Sequence, residues 1–168
     1  MSIREKFIFL TMLLLVLSNF SDAKDDLFQQ VSNKLAQDKE AFAQFKYLGQ
    51  VHCLDKRFKL KEGTLFFTEE GSLFNHRYGF PRLINREKLI VIYQDFEKHH
   101  EATEKDLNPI EQCVRLYSEE NLKQLYIDTV HNQENYNTIN DTFIDEEDMQ
   151  EQMNDYLRLG KIDAKRFL

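Results

Sequence analysis

The stretch Asn108–Tyr126, NPIEQCVRLYSEENLKQLY, opens two helices in quick succession. Asn108 is a capping residue, Pro109 suits the first helical position, and Glu111 stands where a capping-box acid belongs. Ile110, Cys113, Val114 and Tyr117 then recur at the helical spacing of three and four, which predicts one shared inward face. Ser118 followed by Glu119 and Glu120 reads as a fresh start after a bend, and Leu122, Leu125, Tyr126 and Val130 form the next inward stripe. Cys113 therefore points into the core as a ligand, a nucleophile, a filler or half of a disulfide. The compartment decides among these.

Met1 to Ala23 has the three parts of a secretory signal. Arg4 and Lys6 give a basic start, Phe7 to Leu17 is an apolar run of 11 residues, and Ser21-Asp22-Ala23 offers small residues at a cleavage site. The run is short of the roughly 20 residues that a helix needs to span a bilayer. An uncleaved anchor or a buried core helix is the plainer alternative. The expected mature chain is exported, free of a stable membrane anchor, and periplasmic in a bacterium.

The formal net charge of −7 argues against nucleic acid and anionic lipid, both of which call for clustered Lys and Arg. It suits a basic protein partner, or simply solubility. Homodimer formation is left open. Two cysteines in an oxidising compartment make one intrachain bond, Cys53–Cys113, the default. Cys53 lies in YLGQVHCLDKRF, where Leu48, Val51, Leu54 and Phe58 read as another helical face. Closing that loop is worth about 4 kcal/mol on chain entropy alone.

Around these segments the chain reads as all-α: a single compact domain of about five helices, stapled by one disulfide, with an acidic C-terminal helical tail. Its expected organisation is a signal peptide (1–23), a helical domain (24–140) and an acidic amphipathic tail (141–168). Asp25 to Tyr47 is one helix or a pair, with Leu27, Val31, Leu35, Phe42 and Phe45 inward, and Gly63 is a plausible stop for the helix that follows. Thr64 to Phe67 fits a short strand or a first helical turn. NREKLIVIYQDFEKHH has a β-branched centre, yet Asn85 as cap and Leu89, Tyr93 and Phe96 on one face favour helix. HNQENYNTINDT reads as a polar loop. The tail carries a thin stripe of Met149, Met153, Tyr156 and Leu157, and is expected to dock weakly or stay mobile.

Chemical motifs are sparse. His52 and Cys53 are adjacent, and helix neighbours point about 100° apart, so they do not form a nucleophile–base pair. Glu97-x-x-His100 and Asp128-x-x-His131 have the spacing of a carboxylate–imidazole metal pair, but both read as solvated helix ends. No catalytic residue, metal or cofactor is expected. NHRYGFPRL instead gathers Arg77, Tyr78, Phe80 and Arg82 around a Gly-Pro turn, the residue types that dominate interface energetics. They form either a partner-binding wedge or a cap on the core.

Two cysteine segments, QVHCLDKRF and LNPIEQCVRLYSEENLKQL, resemble the amidase immunity proteins of bacterial type VI secretion. The second carries most of the likeness: a capped start, a cysteine, Leu-Tyr-Ser, then an acidic, leucine-bearing helix. The resemblance covers Phe42 to Val130 and implies a periplasmic all-α inhibitor that blocks the cleft of a peptidoglycan-cleaving amidase. Cys53 and Cys113 then correspond to the family's paired cysteines; the middle segment does not match the family's pattern, and the candidate contact surface, Arg77, Tyr78, Phe80 and Arg82, rests on the residue types of NHRYGFPRL. An exported, non-catalytic structural or ligand-binding protein is the competing reading.

Overall fold

The computed structural model describes residues 26–60, 65, 66, 68, 79–100, 107–137 and 146–159, and the expected signal segment lies outside them. The described chain is helical: α1 (26–37), α2 (Lys39–Arg57), α3 (Gly79–Leu83), α4 (Arg86–His100), α5 (Pro109–Leu116), α6 (Glu119–His131) and α7 (Glu146–Leu159). Among the described residues no helix is long and apolar enough to cross a membrane.

Capping chemistry sets the breaks. Asp38 separates α1 from α2 by accepting the backbone N–H groups of Glu40 and Ala41 at 2.9 and 3.1 Å. Asn85 caps α4 through Lys88 N, Asn108 caps α5 through Glu111 N, and Ser118 caps α6 through Asn121 N. The bend at Ser118 thus stands where its side chain predicts. At the other end of α2 the chain stops earlier than Gly63: the helix finishes at Arg57 and Lys59 takes a left-handed conformation (φ 54°). Buried Asp55 then reaches forward to accept Leu65 N and Phe66 N, both at 3.0 Å. Leu65 and Phe66, the described part of Thr64–Phe67, are helical.

Helix α2 is the central element, packing against α3, α4, α5 and α6. Phe45 sits at its heart, with ring centroids of Tyr93, Tyr126 and Phe80 at 5.1, 5.4 and 5.8 Å. Among the described residues five tyrosines are buried, and each hydroxyl is satisfied. Tyr93, Tyr126 and Tyr136 donate to the carbonyls of Phe45, Leu35 and Val130, while Tyr117 and Tyr156 donate to the carboxylates of Glu97 and Asp38.

Two expectations are corrected here. The asparagine-rich link is more than a loop. Asn132 caps a 3₁₀ turn at Gln133–Asn135, Tyr136 is buried, and Asn135 and Asn137 tie the segment to the end of α3 through an isolated bridge between Ile84 and Tyr136. The C-terminal helix is likewise part of the core. Tyr156 is fully buried against Asp38, and Lys34 donates to the carbonyls of Tyr156 and Leu157 at 2.8 and 2.7 Å while lying over the Tyr156 ring. A cation on the last carbonyls complements the helix end, so one aromatic side chain and one lysine fasten α7 to the α1–α2 junction. The sequence stripe includes Tyr156, but its partners Asp38 and Lys34 are more than a hundred residues away and leave no periodic signal.

Two outcomes follow. Tyr156→Ala should lower the unfolding free energy in urea by about 3–5 kcal/mol, the usual loss for emptying a buried aromatic site. Gly49→Ala should also destabilise, by about 1–3 kcal/mol, because a methyl group at that position overlaps the Tyr117 ring.

Candidate functional site

The Cys53–Cys113 bond joins α2 to α5 with 5.7 Å between the Cα atoms, and both residues are 1% exposed. The bond the sequence predicts is present. One turn before Cys53 stands Gly49, and one turn after Cys113 stands Tyr117, whose ring lies on the Gly49 backbone. Cysteine facing cysteine and Gly49 facing Tyr117 means that α2 and α5 run antiparallel. Glycine at position 49 does not break α2; it admits the ring.

The hydroxyl of Tyr117 ends on Glu97, the residue that sequence reasoning placed in a solvated segment. That placement is corrected: Glu97 is 2% exposed, because it lies one turn beyond Tyr93 on the buried face of α4. Its Oε1 accepts from Tyr117 OH at 2.9 Å and pairs with His52 Nδ1 at 3.0 Å, while Oε2 accepts from Lys56 Nζ at 3.3 Å. Three elements therefore meet on one carboxylate. Burial by itself pushes the Glu97 carboxyl up, but the hydrogen bond and attraction of His52, the Tyr117 hydroxyl and the Lys56 charge outweigh it, holding the group below the usual range. Burial, reinforced by the neighbouring carboxylate, drives the Tyr117 phenol far above its ordinary value.

The junction thus gathers a carboxylate, an imidazole, a phenol and an ammonium group at one point. The Cys53 sulfur beside His52 is held in the disulfide, and the described residues contain no free cysteine. Glu97 and His100 do not converge on a metal: Glu97 faces the α2 side chains, while His100 Nδ1 lies 2.9 Å from the Phe96 carbonyl and its ring stacks on Phe96. Asp128 accepts instead from Gln124 at 2.8 Å, and His131 is exposed. Among the described residues no group of three or more His, Cys, Asp or Glu is arranged to hold a metal.

Of the expected wedge, the two described residues, Phe80 and Arg82, lie in the interior. Phe80 is fully buried, its ring edge-on to Phe45 at 5.8 Å and tilted on Tyr126 at 5.9 Å. Arg82 is 5% exposed, and burial pulls its guanidinium below the ordinary value. Both belong to the packed interior, the outcome in which the aromatic group caps the core. Arg77 and Tyr78 lie outside the described residues.

An exposed apolar pair stands instead on α5. Ile110 and Val114, expected to point inward, are 55% and 53% exposed. The helix docks on the side carrying Cys113 and half-buried Leu116, so residues rotated away from that side face water. Half-buried Leu54 lies on the same side of α2, as antiparallel geometry requires of residues turned one position beyond the paired cysteines.

The fold and this junction define a disulfide-stapled all-α domain with a buried carboxylate at its seam. No family model, curated protein or solved structure matches the chain.

The pH dependence of stability tests the seam. A carboxyl held low in the folded state adds stability that is fully present above its unfolded value and is lost as pH falls through the folded one. Glu97 should therefore contribute from neutral pH down to about 4.5, with the contribution fading below. Urea midpoints from pH 7 to 3 should fall more steeply for the parent than for Glu97→Gln; parallel curves would show that Glu97 is not held low.

Proposed function

We propose that this protein is an exported, non-catalytic inhibitor that binds a peptidoglycan-cleaving amidase in the periplasm and blocks its cleft. One observation carries the reading. The disulfide joins the two segments that resemble the amidase immunity proteins, QVHCLDKRF and LNPIEQCVRLYSEENLKQL, in an all-α domain. A bond buried at this seam also suits a protein that works in an oxidising compartment.

Inhibition by occlusion needs a rigid projecting surface more than reactive groups. With Phe80 and Arg82 in the core, the contact is assigned to the outer edge of α5, next to the bend at Ser118. Ile110 and Val114 lie one turn apart there, on a helix held at its centre by the disulfide and at its end by Tyr117. Anchored side chains lose little freedom on binding, which is what makes a short helix edge useful.

The test is a calorimetric titration of the mature protein against the amidase encoded beside it. Ile110→Asp and Val114→Asp should each weaken binding by about 2 kcal/mol, close to thirtyfold, with unchanged circular dichroism. Both substitutions replace exposed groups, and an acid at position 110 falls in the first helical turn, where it is tolerated. Variants that bind like the parent would remove α5 from the contact. No binding by the parent itself would reject the inhibitor reading.

A further inference from the structure

We propose that the Tyr117–Glu97–His52 junction gates the Cys53–Cys113 bond, so that a reductant reaches the sulfurs only when the Tyr117 corner lifts from α2. Breaking a disulfide requires a nucleophile to attack a sulfur atom, and both cysteines are 1% exposed, so the closed fold offers no approach.

The corner nearest the bond is the turn that follows α5. Tyr117 lies four residues past Cys113, and its ring rests on Gly49, four residues before Cys53, closing the seam between α2 and α5 beside the bond. The ring cannot leave without giving up its 2.9 Å bond to Glu97, and it is flanked by Tyr93 and Phe96 at centroid distances of 5.8 and 5.4 Å. Glu97 in turn is held by His52 and Lys56, which sit on α2 on either side of Cys53 in sequence. The carboxylate and the disulfide therefore fasten the same two segments one turn apart. While the polar fastening is closed the covalent one is shielded, and a local opening at the corner exposes it without unfolding the rest of the chain.

A water-soluble phosphine measures this directly. The phosphorus attacks one sulfur, the S–S bond breaks and the second sulfur leaves as a thiolate that takes a proton. Water then releases the first sulfur as a thiol, leaving phosphine oxide, so that phosphorus is oxidised by two electrons and the disulfide reduced by two.

The experiment follows thiol appearance in the folded, oxidised protein at neutral pH, by alkylation and mass measurement. The parent is compared with Tyr117→Phe, Glu97→Gln and a control, Tyr136→Phe. The control deletes an equivalent buried hydroxyl, whose 2.8 Å bond to Val130 lies away from the seam. Loss of a hydrogen bond to a buried carboxylate should speed reduction about tenfold or more in the two junction variants. The control should stay within about twofold of the parent. If the junction variants are reduced no faster than the control, or faster only in proportion to their loss of unfolding free energy in urea, reductant access runs through global unfolding and the gate does not exist. Should Glu97→Gln fail to fold, Tyr117→Phe decides alone, since it removes a single oxygen and keeps the ring on Gly49.

Discussion

The ring of Tyr117 lying on the bare backbone of Gly49 sets the distance between α2 and α5, and much else depends on that distance. A side chain at position 49 would overlap the Tyr117 ring and force it to move, at the seam where Cys53 and Cys113 stand at a Cα separation of 5.7 Å. The same approach carries the Tyr117 hydroxyl to Glu97 and draws α4 into the seam. Sterics, a covalent bond and a buried charge thus all act on one short stretch. Each restricts the same motion of α5 against α2.

A buried carboxylate would be a liability if it stood alone. Here it is matched by an imidazole, a phenol and an ammonium group drawn from two other segments. Such a cluster contributes less to net stability than its Coulomb energy implies, because desolvation offsets most of the gain. Its value lies in geometry: only one arrangement of the helices satisfies every group. The tyrosines follow the same logic elsewhere in the core. Each fills space with a ring and ends on a named acceptor, which gives a small helical domain directional contacts where purely aliphatic packing would permit sliding.

The consequence for function is a rigid edge. Helix α5 is short, and its ordering depends on what it is fastened to more than on its own propensity. The fastening faces inward and leaves Ile110 and Val114 outward, so the inhibitor reading has a preorganised surface to work with. The wedge once assigned to NHRYGFPRL loses Phe80 and Arg82 to the interior for an understandable reason. Aromatic and guanidinium groups near a tight turn have the same sequence appearance whether they anchor a partner or close a core.

Local chemistry is what the amino-acid sequence determined by itself. The caps at Asn85, Asn108 and Ser118, the bend in the cysteine segment, the helical face of Leu89, Tyr93 and Phe96, and the single disulfide all follow from groups close in sequence or from cysteine parity. Tertiary structure decided everything that depends on rotation about a helix axis or on a distant partner. It turned Ile110 and Val114 outward and Glu97 inward, and it set Gly49 against the Tyr117 ring. It also bound the acidic tail through Tyr156 and Lys34. A period of three and four marks a helix face to within about one residue's rotation, near 100°, and the difference between core and surface is no larger than that.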